Sequence, residues 1–239
     1  MEGSDWAQES IGEPHLGLTL AIRSRYVGVP FLRRRLRLPG RRMRAMSQQP
    51  SPKLSRPALV VWDMQYGIAQ RAFNLAEIVA KIKILRDAFH KSAIPVIYSQ
   101  HTGLPYEYLS AAALASYKRR GIDPKAGFMR EGSREWQILE ELTPAHEDLV
   151  LRKHTASFFF GTMLDQLLRN RGIDTLVLAG VSTEAGIEGT ARNAAYLGYV
   201  PVVVEDAVGS SDKEAHEKAL WVMKRMFDVR TADAVMASI

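Results

Sequence analysis

The sequence predicts an α/β, three-layer doubly wound fold, a parallel sheet with helices on both faces. Three observations lead there. From about residue 56 onward, short apolar runs alternate with helix-length amphipathic stretches. The runs are continuous rather than alternating, as expected of strands covered on both faces. Glycine and proline punctuate the elements at short intervals, which leaves room for helical crossovers but for little else.

The elements follow in order. "ALVVWDM" (58–64) is the first strand. In "NLAEIVAKIKILRDAFHKS" (74–92), Leu75, Ile78, Val79, Ile82, Leu85 and Phe89 share one helical face, with Asn74 and Glu77 at cap spacing. "IPVIYS" is the second strand, and residues 101–133 lack periodicity, as a long, partly helical loop region would. "EWQILEEL" (135–142) reads as a short helix, and "DLVLRK" (148–153) as the third strand. "GTMLDQLLRNRG" is a helix stopped by Gly172. "DTLVLAG" is the fourth strand, followed by a helix over 184–197 that ends at Gly198. "VPVVVEDA" is the fifth strand, with Pro201 near its start, where a missing donor is tolerated. "SDKEAHEKALWVMKRMF" is a long helix opened by a capping box of Ser211 and Glu214, and "VRTADAV" supplies a final strand and turn.

Composition narrows the function classes. The chain has 239 residues and no cysteine, so disulfides, thiolate metal sites and thiol catalysis are excluded. That composition fits a reducing compartment, and a cytoplasmic protein is the expectation. No stretch reaches the ~20 apolar residues of a membrane span. The net charge of +6 does not point to nucleic acid, because nine arginines against four acids lie within residues 1–52 while the remainder is almost balanced. This tail is Arg-rich, then rich in Ser, Gln and Pro, and is expected to be disordered. An Arg-rich leader also resembles a transit peptide. The simpler reading is a solvated tail or a start assigned too early, with Met43 and Met46 as later starts. Residues 53–239 form the expected domain.

Ligands of such sheets gather beyond the carboxyl ends of the strands. That rule selects Asp63, Lys153, the 181–186 turn and the pair Glu205 and Asp206. Alone, Asp63 reads as a helix cap and Lys153 as a solvated end. Together at one sheet edge they read as an ion pair in which each charge favours the other. Thr183 is the expected N-cap of the next helix, which puts Gly186 in its first turn, where unsatisfied N–H groups can hold an anion. The plainer role of Gly186 is close helix–sheet packing. Glu188 and Arg192 form an ordinary intrahelical pair, and Glu205 and Asp206 pair with the site lysine or cap a turn. Of Phe158, Phe159 and Phe160, core is the ordinary role, with Phe159 taken as the pocket wall.

"VVWDMQ" and "LRKHTASFFFGTMLDQLLRNRGIDTLVLAGVSTEAGIEGTARNAAYLGYVPVVVEDA", in this order and at this separation, resemble the isochorismatase-like hydrolase family over residues 56–239. The resemblance implies a six-stranded parallel sheet, assembly into homo-oligomers, and hydrolysis of a small molecule, an amide, a ureide or a vinyl ether. It implies an acid/base aspartate at Asp63, a lysine at Lys153 and, at Gly186, the position of the family's nucleophilic cysteine. It also implies a cis peptide bond between Val181 and Ser182, with Val181, Ser182 and Thr183 facing the substrate. A Gln of the loop after the second strand has its counterpart in Gln100 or His101 of "YSQHT". No cofactor follows, and no metal is expected, because His101 has no partner at ligand spacing and His90, His146, His154 and His216 read as surface residues. Direct attack by water, with Asp63 as acid or base, is the expected mechanism. The alternative is an inactive member that keeps the pocket as a binding or scaffold module.

Deletion of residues 1–45 is expected to leave the thermal unfolding of the domain unchanged, because that segment has no periodic apolar face to dock. A loss of about 2 kcal/mol or more on deletion would show that the tail packs against the domain.

Overall fold

The computed structural model describes residues 52–239. The expectation of a disordered tail falls, but for residue 52, on residues outside that range. Strand β1 (Pro57–Trp62) leads through a short helix α1 (Tyr66–Ala69) into α2 (Leu75–Lys91) and β2 (Val96–His101). Helix α3 (Ala111–Arg119) lies in the connection to β3 (Leu149–Lys153). Helix α4 (Leu164–Asn170) precedes β4 (Thr175–Val181), and α5 (Glu188–Tyr196) precedes β5 (Val200–Gly209). Helix α6 (Lys213–Met226), strand β6 (Asp228–Arg230) and helix α7 (Ala232–Met236) complete the chain.

The six strands form one parallel sheet in the order β3-β2-β1-β4-β5-β6. The chain winds outward from β1 to β3, returns to β4 beside β1, and winds outward again. The reversal falls between β1 and β4, which is where a doubly wound sheet opens a crevice for ligands. Strand side chains divide between two cores. Leu59 and Val61 pack with Ile78, Ile82, Leu85 and Phe89 of α2. Ala58, Val60 and Trp62 pack with Leu164 and Leu168 of α4 and Ala191 of α5.

Several local expectations need correction. Residues 135–142 do not form a helix; only a 3-10 turn at Glu140–Leu142 is present. The backbone of this segment is instead committed to the start of the chain's first crossover: Tyr66 N–H donates to Gln137 O, Gly67 N–H to Glu135 O, and Leu139 N–H to Met64 O. Asn74 does not cap α2, because its Nδ2 donates to the carbonyl of Val208 at 3.1 Å and ties that helix to β5. Helix α6 is capped by Asp212, whose carboxylate accepts from Ala215 N–H at 3.0 Å, one residue later than the expected Ser211 box. The helix after β4 starts with a π-helical turn, Thr183–Ile187, before α5 proper. Among the described residues no helix is long and apolar enough to cross a membrane.

Gly180 shows how closely β1 and β4 approach at the crevice. It has φ +120°, and a Cβ there would overlap the Trp62 carbonyl oxygen and lie 2.8 Å from the Trp62 nitrogen. Both the dihedral and the space require glycine. Gly180→Ala is expected to destabilise the fold by about 3 kcal/mol or more, read as a fall in the urea midpoint. A change under about 0.5 kcal/mol would contradict this account.

Candidate active site

Asp63 follows β1 directly and adopts φ +44°, a left-handed conformation that aspartate tolerates better than most residues. The residue is 5% exposed, and each carboxylate oxygen accepts a hydrogen bond. Ser99 Oγ donates to Oδ1 at 2.6 Å, and Lys153 Nζ donates to Oδ2 at 2.6 Å. The backbone N–H of Asp63 donates back to Ser99 Oγ at 3.0 Å. Lys153 is 1% exposed, donates also to the carbonyl of Thr155 at 3.0 Å, and lies 4.3 Å from the centroid of the Trp62 ring. Three neighbouring strand ends, β1, β2 and β3, thus meet in one buried ion pair.

The pair sits at the floor of a cavity of about 870 Å³ beyond the carboxyl ends of the strands. Of the residues singled out in the sequence, Asp63, Lys153, Gly186, His101, Val181 and Ser182 line it. Gln100, Thr183 and Phe159 do not. Gln100 points to the opposite sheet face from Ser99 and His101, as strand alternation requires, and its Nε2 donates to Trp136 O at 3.2 Å. Thr183 is not a cap: its hydroxyl donates to the carbonyl of Gly209 at 2.9 Å and lies 2.8 Å from His216 Nδ1, wholly buried. Phe159 stacks on Tyr199, with centroids 5.8 Å apart. The Val181–Ser182 bond is cis. Within the turn the Ser182 carbonyl accepts from Ala185 N–H at 3.3 Å and Ile187 N–H at 3.1 Å, so those two amides are not the free donors expected at a helix start.

Other expectations are placed elsewhere. Asp206 pairs with Lys81 at 3.1 Å and accepts from Ala232 N–H, while Glu205 pairs with Lys224, so neither meets Lys153. Glu188 and Arg192 form the intrahelical pair at 2.6 Å. His216 is buried rather than at the surface, and His154 lines the cavity with its Nδ1 2.7 Å from Thr102 O. Among the described residues no group of three or more His, Asp or Glu is placed to hold a metal ion.

The structure adds residues that sequence reasoning passed over. Ser99 stands opposite Trp62 in the β1–β2 register, and its alternation with His101 was the available signal. Glu184 lines the cavity with Oε2 buried and without a hydrogen-bond partner among the described residues. Arg120, exposed at the end of α3, lines it without an ion pair among the described residues. Gln65 holds the end of β2: its Oε1 accepts from His101 N–H at 2.8 Å and its Nε2 donates to His101 O at 3.0 Å.

The isochorismatase domain matches the chain over residues 57–234. The chain belongs to the isochorismatase family. It is similar to the family protein YwoC of Bacillus subtilis (strain 168), 32% identical over 187 residues that span 76% of this chain and 93% of that one. It is likewise 32% identical to the ureidoacrylate amidohydrolase RutB of Pantoea ananatis (strain LMG 20103), over 68% of this chain and 72% of the relative. Among solved structures, an isochorismatase family protein from Burkholderia thailandensis is 31% identical with a TM-score of 0.66, covering 78% of this chain and 97% of its own. N-carbamoylsarcosine amidase from Thermoplasma acidophilum is 29% identical with a TM-score of 0.61, covering 75% and 98%. This isochorismatase-family chain is accordingly a hydrolase.

Burial, and next the Lys153 ammonium, hold the His101 imidazole down at about 4, so it is neutral at pH 7. Burial likewise lowers His216. Between about pH 6.5 and 4 the unfolded chain binds protons that folded His101 refuses, so stability falls as pH drops through that window. His101→Asn is expected to shrink this loss by on the order of 1–3 kcal/mol, measured by urea unfolding at pH 7.5 and 4.5. An unchanged slope would place the acid sensitivity elsewhere, His216 first.

Proposed function

We propose that this hydrolase cleaves an amide or ureide C–N bond of a small molecule by direct attack of water, with Asp63 as general base. The observation that carries the reading is the presence of two differently engaged carboxylates on one cavity. Asp63 is ion-paired and oriented by Ser99 and Lys153, while Glu184 has an oxygen buried without a donor. An amide or ureide brings N–H groups that can donate to a carboxylate lining the cavity, as Glu184 does; a vinyl ether brings none. The similarity to a ureidoacrylate amidohydrolase and to an N-carbamoylsarcosine amidase supports the same substrate class.

In this mechanism a water held by Asp63 gives its proton to the carboxylate as its oxygen adds to the carbonyl carbon. The negative charge that develops on the carbonyl oxygen is met by Lys153 and by those N–H groups of the 182–186 turn that the Ser182 carbonyl does not take. Asp63 then returns the proton to the departing nitrogen, which leaves as the amine or ammonia. Arg120 at the cavity mouth gives a carboxylate on the substrate a counter-charge. Without a cysteine the chain offers no thiolate, and in this mechanism no bond forms between substrate and protein.

Turnover is to be sought in a panel of N-carbamoyl amino acids, ureides, primary amides and an isochorismate-type vinyl ether. Asp63→Asn, which keeps a residue tolerant of positive φ, is expected to lower kcat by about 100- to 10,000-fold, measured on protein whose circular dichroism at 25 °C shows it folded, since the loss of the counter-charge to Lys153 itself costs about 3–5 kcal/mol. A drop of less than about tenfold would sink the assignment. Iodoacetamide is expected to leave the rate unchanged, and mass spectrometry under substrate to show no acyl-enzyme. A rate that rises with pH through an acidic inflection supports the base; one that falls there, with turnover of the vinyl ether alone, makes Asp63 an acid.

A further inference from the structure

Position 186 lies in the turn that lines the same cavity as the Asp63–Lys153 pair. It has no room for a side chain. A Cβ built on Gly186 overlaps Trp62 Nε1 and Cε2, and lies 2.6 Å from Cζ2. Such a clash is cheap where the obstructing atoms end a flexible chain, but here they belong to a rigid bicyclic ring fixed from several sides. Trp62 is 1% exposed, Phe158 meets it edge-on with centroids 5.5 Å apart, and Lys153 lies over its face. Phe158 is itself fully buried and its N–H donates to Thr190 Oγ1 at 3.3 Å, so it too is held.

We infer that Trp62 dictates glycine at 186: its indole occupies the volume of any side chain there and so excludes a side-chain nucleophile from that position. The inference rests on the hydrolytic reading of the cavity, to which it adds the reason that position 186 supplies no attacking side chain. The glycine and the tryptophan form one unit, since the indole in this position is acceptable only with glycine at 186. The same ring also supports the charged pair, because its face is the apolar surface against which the Lys153 ammonium rests while donating to Asp63. A change at 62 therefore acts on two features at once: it opens the place beside the turn and removes the platform under the lysine.

The test compares Gly186→Cys in the wild-type background and in Trp62→Val. The chain has no cysteine, so the introduced thiol is the sole one to titrate. In the Trp62 background, Gly186→Cys is expected to lower Tm by roughly 4–10 °C, the ordinary effect of overpacking a core. In the Trp62→Val background the same substitution is expected to lower Tm by less than about 2 °C relative to Trp62→Val alone, the mark of two residues that share one space. The thiol of the double variant is expected to react with iodoacetamide with a midpoint below the ordinary ~8.5, given the helix start and Lys153 beside it. Equal Tm losses in both backgrounds, or Gly186→Cys as stable as wild type with a readily alkylated thiol, would overturn the inference. Should Trp62→Val not fold, Trp62→Leu serves as the second background. Gly186→Ala in the wild-type chain gives an independent reading, in which an unchanged Tm again overturns it. None of these readouts needs turnover, so failure of the proposed hydrolysis and failure of this inference are separately visible.

Discussion

The ion pair of Asp63 and Lys153 is the constraint around which the rest of the cavity is arranged. Two nearly inaccessible charges stand 2.6 Å apart, and each would be left uncompensated without the other. Breaking such a pair by removing one partner typically costs about 3–5 kcal/mol, more than most contacts in a domain. The partners come from β1 and β3, which do not pair; β2 lies between them and contributes Ser99, whose hydroxyl donates to the other oxygen of Asp63. The sheet order is therefore a condition of the chemistry. Any slip in the β1–β2 or β2–β3 register would separate a carboxylate, a hydroxyl and an ammonium that the folded state needs together.

The backbone around this pair is held in conformations that ordinary strands avoid. Asp63 has φ +44° immediately after β1, and Gly180, opposite Trp62 in the β1–β4 register, has φ +120°. Strain of this kind persists only where the surroundings over-determine it. Here the surroundings are the two cores, which pin the same strands from both faces with fully buried aliphatic side chains. Packing on the faces thus supports an unusual backbone at the edge, and that edge is the switch point where the chain reverses its winding.

What the sequence revealed, and what it hid, follow from the same geometry. Asp63 and Lys153 were legible because a charged residue ending an apolar strand has one address in a parallel sheet. The sheet itself was legible because continuous apolar runs and helical faces repeat with clear punctuation. Gln100 and His101 could not be separated by position in "YSQHT"; strand alternation, counted from Ser99, separates them and sends Gln100 to Trp136. Thr183 had the right residue type for a cap, but a buried threonine beside Gly209 and His216 satisfies those groups instead. The segment 135–142 had helical periodicity, yet its backbone donors and acceptors are taken by residues 64–67 across the chain. Tertiary hydrogen bonding overrides a local preference worth only tenths of a kcal/mol per residue. Glu184 and Arg120 carried no pattern at all, one being read as a helix start and the other lying in the aperiodic stretch.

The chemistry at position 186 illustrates why residue-by-residue similarity does not transfer a mechanism. Resemblance to the family draws attention to the turn after β4, where glycine looks like a simple loss. The physical cause lies on another strand, in Trp62, which a linear reading counts as one more apolar residue of β1. Its ring edge fills the place beside Gly186, its face carries Lys153, and its backbone abuts Gly180. One residue thereby links the glycine of the strand, the glycine of the turn and the charge that orients Asp63. Restoring a nucleophile to the turn is for that reason a problem of volume before it is one of reactivity, since the field of the helix start can act on a thiol only after the indole has given up its space.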